Sequence, residues 1–167
     1  MHMLFCRNSW MKSCKIITGA INSGKSTLIN SMIDIDESIY CGFVSDKDED
    51  GYLLRSLKSG ISRRYLSRST RFNNKLGRWY FDPSCFDDVY KELSVMESGK
   101  VYIDEVGRLE LQGGGFDKAL KLLAARDIDL VLTARDEFLE SIIERYRIDN
   151  ALIINVNQYI LLHSSMP

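Results

Sequence analysis

The sequence predicts an α/β fold: a mostly parallel sheet with helices on both faces and an antiparallel hairpin extension at one edge. Three observations support this prediction. Short apolar, β-branched runs alternate with segments of helical period along most of the 167 residues. A glycine-rich bend joins the first of these runs to the first helical segment. A later run ends in two adjacent acidic residues, and in parallel sheets such strand ends gather at one edge.

Length and composition exclude several classes of protein. A chain of 167 residues with a net charge of −1 has the size of one domain, and its overall charge favours neither nucleic acid nor membrane. No apolar run is long enough to span a bilayer, and Met1–Trp10 lacks the features of a signal peptide. The four scattered cysteines form no C-x-x-C pair, which indicates reduced thiols and a cytoplasmic protein. We expect a loosely ordered extension over residues 1–12 and one domain over 13–167.

The glycine-rich bend carries the strongest local signal. Lys15–Thr18 predicts a buried strand, and apolar residues at helical spacing from Leu28 to Ile33 predict a helix. Between them lies the pattern G-x-x-x-x-G-K-[ST], whose backbone N–H groups hold a nucleotide's phosphates. The predicted nucleotide-binding residues are Gly19, Ala20, Ile21, Asn22, Ser23, Gly24, Lys25, Ser26 and Thr27.

Within this bend two side chains have distinct predicted roles. Lys25 is expected to reach the β- and γ-phosphates, and the Ser26 hydroxyl to coordinate Mg²⁺. The alternative is a chance glycine turn in front of a helix. The strand and the helix on either side favour the phosphate-binding interpretation.

The acidic pair supplies the complementary half of a site. Lys100–Ile103 predicts a short strand that ends in Asp104 and Glu105. A carboxylate at this position would steady Mg²⁺, here Asp104, and an adjacent Glu105 would orient and deprotonate an attacking water. The alternative is two surface acids that end an ordinary strand. Together the two motifs predict a nucleoside triphosphate as ligand, Mg²⁺ as cofactor, and Lys25 and Glu105 as catalytic residues.

Residues 40–81 predict a basic hairpin segment. Strands Tyr40–Ser45 and Tyr52–Leu57 are joined by the acidic loop Asp46–Gly51. From Tyr52 to Phe81 there is no Asp or Glu, and aromatic residues are interleaved with cations: Arg55, Lys58, Arg63, Arg64, Arg68, Arg71, Lys75 and Arg78. Three interpretations stay open: half-buried strands with solvated cations, a nucleic-acid surface over 55–78, and an arginine that reaches the γ-phosphate.

The rest of the chain completes the alternation. The predicted elements are a helix that begins near Ser84 and ends at Gly99, a helix from Phe116, a strand Asp129–Thr133, a helix from Phe138 and a last buried strand Ala151–Val156. Thr133 either senses the γ-phosphate or simply ends its strand. Arg135 either contacts phosphate or caps a turn at the surface.

Val101–Leu111, followed by Phe116, resembles the D-E-I-G-K-M-E-L…F signature of the small nucleoside-triphosphatase family that includes the cancer-related nucleoside-triphosphatase and thermophilic relatives. Similarity extends over about residues 14–158. It implies a RecA-like P-loop fold and Mg²⁺-dependent hydrolysis of ATP, GTP and other triphosphates with weak base preference. By the same resemblance, Lys25 and Ser26 match the family's phosphate and metal residues, and Asp104 and Glu105 match its metal-supporting acid and its base.

The sequence departs from that family at several places, and other functions remain alternatives. Arg108 stands where a lysine is usual, residues 112–115 form an unusual glycine run, and 55–78 matches only loosely. A regulatory GTPase would satisfy D-x-x-G at 104–107, but Asn74–Gly77 lacks the aspartate of N-K-x-D. A nucleotide-gated nucleic-acid-binding module and a small-molecule kinase are the other two alternatives.

Overall fold

The computed structural model describes residues 13–38 and 40–164. The extension predicted over residues 1–12 lies outside this part of the chain. The described residues form nine strands: β1 Ser13–Thr18, β2 Tyr40–Lys47, β3 Gly51–Ser56, β4 Ser62–Ser67, β5 Asn74–Leu76, β6 Trp79–Phe81, β7 Ser98–Val106, β8 Asp127–Ala134 and β9 Ala151–Asn155. Their helices are α1 Lys25–Asp34, α2 Ser84–Ser94, α3 Arg108–Leu111, α4 Asp117–Leu123, α5 Leu139–Tyr146 and α6 Val156–Ser164, with a 3-10 turn at Asp136–Phe138.

All nine strands belong to one sheet in the order β5-β6-β4-β3-β2-β7-β8-β1-β9. The five strands from β2 to β9 in this order pair in parallel. The other four continue the sheet beyond β2 as antiparallel pairs. This arrangement confirms the predicted parallel sheet with an antiparallel extension at one edge.

Helices cover both faces of the sheet, as predicted. On one face, Ile29 of α1 and Val156 of α6 pack with Ile17 of β1 in a small core. On the other face, the larger core joins α2, α4 and α5 to the sheet through Leu93, Leu120, Ile142 and their neighbours. Among the described residues, no helix is both long enough and apolar enough to cross a membrane.

Two predicted element ends are wrong. Helix α2 ends at Ser94, and Gly99 lies inside β7. The Arg126 guanidinium donates to the carbonyls of Ser94 and Met96 at 2.7 and 2.6 Å, so a distant side chain satisfies the carbonyls at this helix end. The last strand was also expected to be buried through Val156. Instead β9 is an edge strand in which Leu152 is 57% exposed, and Val156 begins α6.

Candidate active site

The bend between β1 and α1 closes tightly around a lysine. Gly24 has a φ of 97°, a left-handed conformation that favours glycine. A Cβ on Gly19 would lie 2.5 Å from the Ser23 hydroxyl oxygen. The Lys25 amine donates to the carbonyls of Gly19 and Ala20 at 3.0 and 2.6 Å. Lys25 is itself buried, so the bend encloses the positive charge of its side chain.

The carboxylate of Asp104 lies beside the start of α1. It accepts hydrogen bonds from the Ser26 hydroxyl at 3.4 Å, the Thr133 hydroxyl at 2.5 Å and the Ser45 backbone N–H at 3.4 Å. Asp104 is 1% exposed, and this burial raises the pKa of its carboxyl group, although the three donors partly offset the effect. The structure thus brings Ser26 and Asp104 together from distant parts of the sequence.

Glu105 occupies a β-bulge. The register between β7 and β8 shifts between Ile103 and Val106, so two residues of β7 lie opposite one residue of β8. Glu105 has a φ of 64°, and its backbone N–H donates to the Thr133 hydroxyl oxygen at 2.8 Å. A left-handed residue without glycine's freedom is strained, and such strain clusters at functional sites.

The charges of this region act on one another. Burial raises the pKa of Glu105, and the neighbouring Asp104 raises it further, while Lys25 and Arg135 oppose the shift. Burial lowers the pKa of Lys25, an effect that the three carboxylates nearby, including Asp136, partly offset. The predicted lysine and both predicted acids therefore lie within one electrostatic cluster.

Asp136 is a residue of this cluster that the sequence argument did not single out. Its carboxylate accepts a hydrogen bond from the buried Thr18 hydroxyl at 2.6 Å. Asp136 follows the end of β8, and Thr18 ends β1, the neighbouring parallel strand. The convergence of parallel strand ends is the signal that would have identified it.

A cavity of 340 Å³ opens beside Glu105. Ile21 of the bend and Arg135 contribute to its lining, and Arg135 also pairs with Glu137 at 3.5 Å. Thr133 lies against Asp104 and does not line this cavity. Of the two interpretations of Arg135, the structure favours a cation that faces the site over one that only caps a turn.

Acidic residues on either side of the stretch 55–78 pair with three of its eight cations. Arg55 pairs with Asp46 at 2.7 Å, Arg63 with Asp82 and Asp88 at 3.1 and 2.8 Å, and Arg64 with Asp48 and Asp50. Arg68 and Arg78 each lie 5.3 Å from the centre of the Trp79 ring. Of the basic residues in this segment, Arg78 lines the cavity. The excess of cations in this stretch of the sequence therefore does not produce an equally positive surface. It gives little support to a nucleic-acid partner.

Comparison with known proteins agrees with this geometry. The family model NTPase_1, whose description is NTPase, matches residues 14–160. The chain belongs to this NTPase family. Membership confirms the resemblance found in the sequence and, with the P-loop fold, supports nucleoside-triphosphatase activity in general terms.

A solved structure supports the same fold. The chain is similar to the crystal structure of THEP1 from the hyperthermophile Aquifex aeolicus, with a TM-score of 0.66 and 19% sequence identity. The match covers 92% of this chain and 96% of that one. At this identity the likeness shows the fold alone. Among curated protein sequences, none gave a significant match.

Proposed function

We propose that the protein hydrolyses nucleoside triphosphates, with Mg²⁺ as cofactor, at the site formed by residues 19–27 and the acids of β7. One observation carries the proposal. The Ser26 hydroxyl and the Asp104 carboxylate meet at 3.4 Å, next to the buried Lys25 and the strained Glu105. P-loop hydrolases need a phosphate-binding lysine, a metal-holding hydroxyl and acid, and a residue that positions water.

The donors present suit magnesium. Ser26 and Asp104 offer oxygen ligands, and Mg²⁺ commonly takes one or two protein oxygens and completes its shell with phosphates and water. No group of three His, Cys, Asp or Glu side chains that could hold a metal occurs in the described part of the chain. Ser26 and Asp104 would hold the ion together with the nucleotide, and an ion bound there would supply positive charge that stabilises the phosphates.

Lys25 is held ready for a phosphate. Its amine bonds to two backbone carbonyls of the bend, which are neutral acceptors. Phosphate oxygens are charged acceptors and form stronger hydrogen bonds with an ammonium group. We expect a bound triphosphate to draw the amine from these carbonyls towards the β- and γ-phosphates, while the first backbone N–H groups of α1 hold the phosphate chain.

Glu105 is the residue proposed to activate water. A general base works best when its pKa approaches the operating pH, and burial together with Asp104 raises the pKa of Glu105 in that direction. Lys25 and Arg135 act in the opposite direction on this pKa. Arg135 lines the cavity beside Glu105 and is proposed to stabilise charge on the γ-phosphoryl group in the transition state.

Phosphate release from a panel of nucleoside triphosphates and diphosphates, with and without Mg²⁺, tests this function. We expect Mg²⁺-dependent release from ATP, GTP and the other triphosphates with weak base preference, as the family resemblance implies. Lys25→Ala should abolish it. Lys58→Ala, a change at an exposed lysine outside the site, should behave like wild type. Release that persists in Lys25→Ala, or that is indifferent to Mg²⁺, would contradict the proposal.

A further inference from the structure

The cavity beside Glu105 has a second wall that the hydrolytic site does not use. The antiparallel extension contributes Tyr52 and Trp79, whose rings meet edge to face with centres 5.4 Å apart. Phe138 lines the cavity as well. Rings in such an arrangement offer faces and edges against which another planar ring can pack. The cavity therefore extends from the acids of β7 to an aromatic surface on the hairpins.

Two arginines of this wall have no acidic partner within the described chain. The Arg78 guanidinium lies 5.3 Å from the centre of the Trp79 ring, and that of Arg108 lies 6.0 Å from the Phe138 ring. Neither forms an ion pair with another described residue, whereas Arg63 and Arg64 do. Guanidinium groups on the wall of a cavity favour an anionic ligand.

One acid in the lining, Glu110, does not oppose an anion strongly. Glu110 is 2% exposed, and its two carboxylate oxygens accept hydrogen bonds from the backbone N–H groups of Gly107 and Phe116 at 2.8 and 3.1 Å. Both oxygens of its carboxyl group are thus bonded to the backbone. Glu105 also lines the cavity and Asp104 does not, so one cavity joins the acidic end of β7 to the two arginines.

The position of the cavity relative to the nucleotide rests on the proposed function. If Ser26 and Asp104 hold Mg²⁺ and Lys25 holds the terminal phosphates, Glu105, which follows Asp104 in β7 and lines the cavity, would lie on the γ-phosphate side of the site. Of residues 19–27, only Ile21 lines the cavity, so we infer that a nucleotide held by the bend leaves the aromatic wall accessible.

We propose that this cavity binds a second small ligand of nucleotide size, with a planar ring against Tyr52 and Trp79 and an anionic group at Arg78 and Arg108. A nucleoside monophosphate has both features. A volume of 340 Å³ falls within the range of small-molecule sites, about 300–1,000 Å³. A nucleic-acid strand is less favoured, because acidic residues already pair with Arg55, Arg63 and Arg64 of the basic segment.

Fluorescence of Trp79 offers a direct test. The chain has two tryptophans, Trp10 and Trp79, so Trp10→Phe makes Trp79 the sole reporter. In this background the nucleoside monophosphates AMP, GMP, CMP and UMP are titrated in the presence of saturating ADP and Mg²⁺. We expect saturable quenching by at least one of them, with a midpoint that does not depend on ADP.

Variants connect the signal to the cavity. A double variant, Arg78→Gln with Arg108→Gln, should weaken the monophosphate by about tenfold or more and leave ADP binding unchanged. Arg71→Gln, at an exposed arginine outside the lining, is the matched control and should change neither. Lys25→Ala should lose ADP binding but keep the quenching by the monophosphate. This variant therefore tests the second site independently of the proposed hydrolysis.

Three results would overturn the second site. The first is no saturable quenching by any of the four monophosphates at millimolar concentration. The second is quenching that ADP competes away, which would mean that both ligands share the P-loop or that the nucleotide's own base fills the cavity. The third is quenching by a single-stranded oligonucleotide and by none of the monophosphates, which would assign the aromatic wall to nucleic acid.

Discussion

The Thr133 hydroxyl of β8 donates a hydrogen bond to the Asp104 carboxylate of the neighbouring strand β7, at a distance of 2.5 Å. The same hydroxyl oxygen accepts the backbone N–H of Glu105 at 2.8 Å. One threonine therefore fixes the positions of both acids. It does so at the point where the bulge in β7 breaks the regular pairing.

Thr133→Val tests this connection. Valine preserves the size of the side chain, but the Asp104 carboxylate and the Glu105 N–H each lose one hydrogen-bond partner. We expect a loss of about 1–3 kcal/mol in the free energy of unfolding, measured by denaturant titration, together with a slower hydrolysis rate. Thr133→Ser keeps the hydroxyl and should retain most of both. Wild-type stability and rate in the valine variant would show that the hydrogen bonds have no such role.

The left-handed backbone of Glu105 predicts an unusual order of stabilities. Glu105→Ala and Glu105→Gly both remove the carboxylate and should reduce hydrolysis equally. Glycine adopts a φ of 64° without strain, so Glu105→Gly should be more stable than Glu105→Ala by about 1 kcal/mol.

Glu137 provides the matched comparison for that pair. It lies in the 3-10 turn after β8 and does not have a positive φ. There the alanine variant should be the more stable one, because glycine loses more conformational entropy on folding. The same order at both positions, with alanine more stable, would mean that Glu105 is not strained.

Arg135 should influence the pH dependence of hydrolysis. A base must be ionised, so the rate rises with pH through the pKa of Glu105. Arg135 stabilises the ionised form, and its removal should raise this pKa further. In Arg135→Gln we expect the acidic limb of the pH–rate profile to move to higher pH, whatever happens to the maximal rate. Arg71→Gln should leave the limb in place, and an unmoved limb in Arg135→Gln would contradict the coupling.

Glu110 should make stability depend on pH. Burial raises the pKa of its carboxyl group from 4.5 to about 7. Between these two values the folded state holds a proton that the unfolded state has released. The contribution of this proton to the free energy of unfolding is fully present below pH 4.5 and is lost as pH rises through 7. The advantage of wild type over Glu110→Gln in free energy of unfolding should shrink by about 3 kcal/mol across this range. A constant difference from acidic to neutral pH would refute the assignment.

The sequence identified the parts of the fold and site that depend on short-range patterns. The P-loop was readable because strand, bend and helix are contiguous, and the acid pair because it ends a short apolar strand. Both motifs lie at strand ends, so the parallel topology brought Ser26 to Asp104 as the alternation of elements implied.

Features set by long-range contacts were not accessible in the same way. The bulge at Glu105 arises from pairing with β8, which leaves no local mark in the sequence. The cations Arg63 and Arg64 looked unpaired because no acidic residue lies between Tyr52 and Phe81; their partners Asp82 and Asp48 flank that stretch and meet them in the fold. The end of α2 depends on Arg126, whose guanidinium arrives from beyond α4.

Single-turnover phosphate release by Glu105→Gln, with Mg²⁺·ATP binding measured in parallel by calorimetry, tests the central claim most directly. Glutamine keeps the size of the side chain but cannot accept a proton from water. We predict that the hydrolysis rate falls by about 10²–10⁴-fold while the affinity for Mg²⁺·ATP changes by less than about threefold. A variant that binds Mg²⁺·ATP normally and hydrolyses it at the wild-type rate would contradict the account.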